Sequence, residues 1–288
     1  MTKPILFLIG GPTASGKTAA ALELARAKGG VIINADAMQV YRGLPLLTAQ
    51  PSEAEKREIP HKLFEAFDPA ERSSAGRWLT LAREALVQAA HDGHAPIVVG
   101  GTGLYFAALL GGLAIIPSIP DDVRAEVTAL YDAIGHDAFR AKLAERDEGS
   151  AARIAPNDRQ RLIRAHEVAV HTGRTLAQWQ EEGAAHSIEK DFTVHRRALM
   201  PDRAALYAAC DARFLRMVEG GALNEVRALA AQGLEAGLPA MKILGVPELA
   251  AHLRGEMSLD EAITKAQQAT RNYAKRQMTW FRNQWKAN

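Results

Sequence analysis

The segment Gly11-Pro12-Thr13-Ala14-Ser15-Gly16-Lys17-Thr18 has the spacing G-x-x-x-x-G-K-T. Glycines allow a tight turn whose backbone N–H groups converge on phosphate oxygens at a helix N-terminus; Lys17 adds positive charge and Thr18 offers a hydroxyl to Mg²⁺. The run therefore predicts a polyphosphate cradle. Asn34-Ala35-Asp36 supplies a carboxylate. Asp36 is a candidate general base or magnesium ligand, since either role needs an acceptor near the cradle; the alternative is a turn former for residues 37 to 41. A third cluster, Gly100-Gly101-Thr102-Gly103, would let backbone approach a ligand closely and give Thr102 a neutral hydrogen bond to an oxygen; otherwise it is a flexible strand-to-helix turn.

Positioning these residues requires short strands alternating with helices. The pattern predicts strands over Ile5 to Ile9, Val31 to Asn34 and Ile97 to Val99, with helices over Lys17 to Lys28 and Ala75 to Ala90. This βα series implies an α/β fold with a parallel sheet, and puts all three clusters at C-terminal strand ends. Most phosphate-loop hydrolases carry a metal-binding aspartate at the end of the later strand, where this chain has glycines, which counts against ATP hydrolysis. Prolines 117 and 120 interrupt the series, and an all-helical stretch follows to about residue 185. There Asp121 reads as the N-cap of a helix over Val123 to Tyr131, and Asp158 opens a helix ended by Thr172-Gly173. Phe192 to Met200 reads as a returning strand, and the rest is helical. The expected organisation is a catalytic core of residues 1–117 and 188–288 around a helical insertion, residues 118–187.

The chain has 288 residues with a formal charge of only +2, from 35 basic and 33 acidic side chains, so a nucleic-acid footprint must come from local segregation. Two segregated regions exist. One holds Arg153, Arg159, Arg161, Arg164 and Arg174; the other runs from Ala262 to Asn288 without Asp or Glu, carrying Lys265, Arg271, Lys275, Arg276, Arg282 and Lys286. Tyr273, Trp280, Phe281 and Trp285 are interleaved with the second, either stacking on bases or, the simpler reading for the tryptophans, anchoring a core. Together the two clusters around a phosphate site point to a polyanionic partner. The lone Cys210 reads as a small apolar packing residue, the histidines lack metal-ligand spacing, and no signal segment or long apolar run is present. A cytoplasmic protein without membrane association is expected.

Gly-Pro-Thr-Ala-Ser-Gly-Lys-Thr at 11–18, Asn-Ala-Asp-Ala-Met-Gln-Val-Tyr-Arg-Gly at 34–43, Gly-Gly-Thr-Gly-Leu-Tyr at 100–105, Pro-Asn-Asp-Arg-Gln-Arg at 156–161 and Thr-Arg-Asn-Tyr-Ala-Lys-Arg-Gln at 270–277 together resemble the bacterial tRNA dimethylallyltransferases. The resemblance covers nearly the whole chain in the right order. It implies a P-loop NTPase-like parallel sheet flanked by helices, dimethylallyl diphosphate held by Gly11 to Thr18, and Mg²⁺ as cofactor. The implied reaction alkylates N6 of the adenosine on the 3′ side of the anticodon in tRNAs reading codons that begin with U. By the same resemblance Asp36 is the general base, Thr102 and Lys17 stabilise the leaving group, and Arg213 lies near the diphosphate. The tRNA anticodon stem-loop is assigned to Asp36, Ala37, Met38, Gln39 and Thr102, to Arg124, to Gln160, Arg161, Leu162, Ile163 and Arg164, and to Lys242, Ile243, Leu244, Gly245, Val246 and Pro247. Departures from the usual pattern stand at Ala37, Leu47, Gln50, Ala209, Val246 and Pro247, and bear on tRNA affinity rather than chemistry. A monomer without an obligate protein partner is expected. The competing readings are a P-loop kinase or isopentenyltransferase acting on a free adenine nucleotide, and an RNA-binding ATP switch.

Overall fold

Short apolar runs pair into a parallel sheet because every connection between them is long enough to hold a crossover. In the computed structural model, which describes residues 3–111, 116–183 and 187–285, five strands lie in the order β3-β2-β4-β1-β5. They are β1 (Ile5–Gly10), β2 (Gly30–Asn34), β3 (His61–Lys62), β4 (Ala95–Gly100) and β5 (Thr193–Ala198). All pairings are parallel, with Phe7 beside Ile97 and His195, and Asn34 beside Val99. β2 is buried along its full length, as expected of a strand covered on both faces.

Helix α1 (Lys17–Lys28) turns Ala21, Leu22 and Ala25 onto Ile9, Ile32, Ile97 and Val99 of the sheet, and Gly29 ends it in the left-handed conformation. Helix α3 (Ala75–His91), capped by Ser74, buries Trp78, Leu79, Ala82 and Leu86. After β5 come α9 (Arg203–Glu219), α10 (Ala222–Ala230), α11 (Val246–Leu253) and the long α12 (Leu259–Gln284). Leu206 and Cys210 of α9 pack with Ala274 and Met278 of α12, so Cys210 is a buried packing residue.

Backbone contacts divide the chain into residues 1–106 with 191–288, and residues 107–190. α4 (Gly103–Gly111) spans the first boundary. The second unit comprises α5 (Asp121–Ala144), α6 (Glu148–Arg153), α7 (Arg159–Thr172) and α8 (Leu176–Gly183), around Val127, Phe139, Leu143, Ala151, Leu162, Ile163 and Ala165. Pro120, not Asp121, is the N-cap of α5; Asp121 lies in its first turn and pairs with Arg124 at 3.2 Å. The helix continues well past Tyr131, interrupted at Gly135, whose φ of 77° breaks the helical path.

Two elements carry no apolar pattern and so escape sequence reading. α2 (Glu53–Glu58) buries no residue, and its only sequence mark is the capping box of Ser52 with Glu55. β3 is a two-residue polar edge strand. Among the described residues no helix is long and apolar enough to cross a membrane.

Close approach explains Gly100: a Cβ there would stand 2.0 Å from the carbonyl oxygen of Ala35, which is backbone and cannot swing away. Gly100→Ala is therefore expected to destabilise the protein by about 3 kcal/mol or more, read as a drop in the urea midpoint. An unchanged midpoint would mean that the β2 and β4 ends separate freely.

Candidate active site

Parallel pairing brings the ends of β1, β2 and β4 to one rim, and each predicted cluster begins there. The phosphate loop leaves β1 with Gly11 and Gly16 at positive φ, and Ala14, a non-glycine residue, is held at φ 61°. The Lys17 ammonium donates to the carbonyl of Pro12 at 3.2 Å. Burial lowers its pKa to about 8, the nearby Asp36 carboxylate opposing that shift and the Arg213 guanidinium adding to it. Arg213, on α9, donates to the hydroxyl of Thr13, and burial likewise pulls its pKa down. Two cations and one carboxylate thus converge on the loop.

Asp36 is 8% exposed, and its Oδ1 accepts from the N–H of Met38 at 3.0 Å. That bond makes it a turn former as well as a carboxylate at the rim. Asn34, fully buried, fixes it in place: Oδ1 accepts from the Asp36 N–H at 2.8 Å, while Nδ2 donates to the carbonyls of Asp36 and Leu63. The Asn34 carbonyl is in turn bonded by the Trp78 indole at 2.7 Å, whose ring stacks on Tyr105. Thr102 closes the group. Its N–H reaches the Ala35 carbonyl, and its Oγ1 accepts from the Ala37 N–H at 2.9 Å.

The glycines of the second turn serve α12 rather than a ligand alone. A Cβ on Gly101 would stand 2.2 Å from Nε2 of Gln277, one on Gly103 would strike the Trp280 ring, and one on Gly10 would strike Phe281. Phe281 and Trp285 also meet Phe106 edge to face. Trp280, Phe281 and Trp285 therefore pack as anchors of this core. Arg271 of the same helix is committed to Asp211 at 2.6 Å. Lys275, Arg276 and Arg282 remain exposed, and Lys286 lies outside the described residues.

Several residues that the resemblance assigns to tRNA have buried side chains. Leu162 is fully buried and Ile163 nearly so in the helical unit, because α7 turns that face inward; Ile243 and Val246 are buried in the same way. The run from 160 to 164 can offer only Gln160, Arg161 and Arg164 side chains, and the run from 242 to 247 offers Lys242, Leu244 and Pro247 around the backbone of Gly245. Gln39 spends its amide on the carbonyls of Thr48 and Ala49, shaping the loop after Asp36. Glu225 holds that loop from outside, its carboxylate accepting from the N–H groups of Leu46 and Leu47. Leu47, one of the departures, brings its Cδ1 to 3.0 Å from where a Cβ on Gly245 would stand.

In the helical unit the buried Glu167 pairs with Arg164 at 2.6 Å and Arg124 at 3.5 Å, gathering two of the predicted cations on one face. Arg159 pairs with Asp132 and lies over the Tyr131 ring, and the more exposed Arg161 pairs with Asp158 at 3.3 Å. Pairs this exposed are weak, so a phosphate can compete for the guanidinium groups.

The sequence profile of IPP transferases matches residues 39–284, and that of isopentenyl transferases matches residues 4–61. The chain belongs to the IPP transferase family. It is 57% identical to the tRNA dimethylallyltransferase of Rhodospirillum centenum, covering 98% of this chain and 90% of that one. With the protein of the same name from Phenylobacterium zucineum it shares 54% identity, over 98% of this chain and 91% of the other. Among solved structures, a tRNA isopentenylpyrophosphate transferase from Staphylococcus epidermidis superimposes with a TM-score of 0.70 at 33% identity, covering 99% of this chain and 92% of that one. A eukaryotic dimethylallyltransferase acting on tRNA gives 0.83 at 26% identity, over 96% of this chain and 70% of that one. Within this family frame, the residues whose contacts sequence reasoning passed over are Asn34 and Gln277. Both stand inside the matching motifs, but only contacts between distant segments reveal what they hold.

Proposed function

We propose that this IPP transferase moves the dimethylallyl group of dimethylallyl diphosphate to N6 of the adenosine 3′-adjacent to the anticodon, in tRNAs that read codons beginning with U. The observation that carries the reading is the meeting of Lys17 and Arg213 with Asp36 at one rim, cations for a leaving diphosphate beside a proton acceptor. In the reaction the bond from C1 of the dimethylallyl group to the bridging oxygen breaks, and its electron pair leaves with pyrophosphate. The N6 lone pair forms the new C–N bond, and the N6 proton passes to the Asp36 carboxylate. An exocyclic adenine amine is a poor nucleophile because its lone pair is delocalised, so removing that proton as the bond forms lowers the barrier.

Charge developing on the departing oxygen is met by Lys17 and Arg213, preorganised donors aimed at the leaving group. Thr102 accepts from Ala37 and so keeps its own hydroxyl proton, which can turn to a substrate oxygen. The Thr18 hydroxyl with diphosphate oxygens is a hard-oxygen donor set that suits Mg²⁺, which would supply further charge neutralisation when bound. The target base leaves the anticodon-loop stack to reach this rim, a cost of a few kcal/mol that favours unpaired loop nucleotides. Arg124, Gln160, Arg161 and Arg164 are read as tRNA contacts, with Ala37, Met38, Lys242, Leu244, Gly245 and Pro247. A cytoplasmic monomer is the proposed working form.

The deciding assay incubates the protein with Mg²⁺, labelled dimethylallyl diphosphate, and either unmodified anticodon stem-loop or AMP, followed by nucleoside mass spectrometry. Label on the loop adenosine alone is expected; label on AMP would replace this reading with a small-molecule transferase, and no label with a kinase or ATP switch. For tRNA contact, Arg161→Ala is cleaner than changing Arg164, whose loss would leave the buried Glu167 carboxylate with Arg124 alone. It is expected to weaken stem-loop binding and lower the slope of log K against log salt by about 0.7–0.9. An unchanged slope would remove Arg161 from the phosphate contacts.

A further inference from the structure

Gln277 joins the two turns on which the chemistry depends. It projects from α12 where Ala274 and Met278 lock that helix to α9, and it is 5% exposed. Its Oε1 accepts from the Thr13 N–H at 2.8 Å, and its Nε2 donates to the Gly101 carbonyl at 2.8 Å. An amide alone offers an acceptor and a donor side by side at neutral pH, so its orientation is fixed by what it meets. The two turns are closely apposed: a Cβ on Gly101 would stand 3.2 Å from the Gly11 carbonyl oxygen. From Gly101 the chain passes to Thr102, whose Oγ1 holds the N–H of Ala37, next to Asp36.

We propose that Gln277 is a positioning residue for group transfer, its amide setting the separation between the loop that holds the leaving diphosphate and the turn through which Thr102 fixes Asp36. Thr13 is then held from two helices, its backbone by Gln277 of α12 and its hydroxyl by Arg213 of α9. Using its N–H on Gln277 turns that group away from the phosphate, leaving the N–H groups at the start of α1 to face the anion. The assignment rests on the transferase reading above, and its test separates the two.

Three variants are compared with the unaltered chain across pH: Gln277→Ala, Gln277→Met, which keeps the volume without either hydrogen bond, and Gln277→Glu. Misplacement of reacting groups by about 1 Å costs on the order of 10²-fold, so kcat should fall by about that factor in Gln277→Ala and Gln277→Met, with the KM for tRNA unchanged. Gln277→Glu should be as poor at neutral and alkaline pH, where a carboxylate opposes the Gly101 carbonyl. It should recover, as a ratio to the unaltered chain, on acidification, because a protonated carboxyl restores both bonds and burial raises its pKa. Wild-type kcat in Gln277→Met, or a Gln277→Glu ratio that is flat with pH, overturns the assignment. Should Gln277→Ala fail to fold, Gln277→Met and Gln277→Glu decide. If the unaltered chain prenylates no tRNA, the transferase reading falls and pyrophosphate binding becomes the readout: a tenfold or larger loss in Gln277→Met, an order expected for a displaced loop, upholds the bridge, and equal affinity overturns it.

Discussion

Asp36→Asn is expected to lower kcat for transfer by about 10²–10⁴, the range a positioned general base contributes, while stem-loop affinity stays as it was. The choice of asparagine follows from the geometry. Asp36 Oδ1 accepts from the Met38 N–H, and the Asn34 amide holds the Asp36 backbone on both sides, so an asparagine can keep the turn and lose only basicity. Asp36→Ala removes the turn bond as well, and the comparison separates the two roles: a shared deficit belongs to the base, and any excess in the alanine variant to the loop. Single-turnover assays with labelled dimethylallyl diphosphate and filter binding of the stem-loop give both quantities. An active Asp36→Asn would move the proton acceptor elsewhere.

Lys17→Met should lose about 10²–10³ in kcat/KM for the diphosphate, the scale of removing one preorganised donor from a developing anion. Two signatures distinguish this from general damage. First, burial lowers the Lys17 pKa to about 8 in the free protein, so the folded state disfavours the charged form. Stability carries this cost while both folded and unfolded chains are protonated, below pH 8, and the cost is relieved as pH rises from there toward the unfolded value. The uncharged variant should therefore melt no lower than the unaltered chain without ligand, and pyrophosphate should no longer raise its melting temperature. Second, the ammonium must be present to bind the anion, so the diphosphate KM of the unaltered chain should be flat below about pH 8 and rise by up to tenfold per pH unit above it. Lys17→Arg should flatten that rise. A KM independent of pH between 7 and 9.5 in the unaltered chain would assign the anion to Arg213 and the backbone instead.

What was legible in the sequence is what local spacing encodes. Gly11 to Thr18 needs only its neighbours to form a turn ahead of a helix, and three apolar runs with helical crossovers dictate a parallel sheet that gathers Lys17, Asp36 and Thr102 at one rim. The same spacing cannot say which side of α7 or of the turn before α11 faces a core. The family resemblance implies Gln160 to Arg164 and Lys242 to Pro247 as whole runs, although Leu162, Ile163, Ile243 and Val246 are buried. α2 and β3 give no such signal because neither buries an apolar face, on which periodicity depends. Tertiary structure alone decided that α12 supports the rim that gathers Lys17, Asp36 and Thr102: its aromatics fill space left by Gly10 and Gly103, and Gln277 ties Thr13 to Gly101 across 264 and 176 residues of chain. Bonds between partners so distant leave no spacing to read, since they exist only once packing has brought α12 against the ends of β1 and β4.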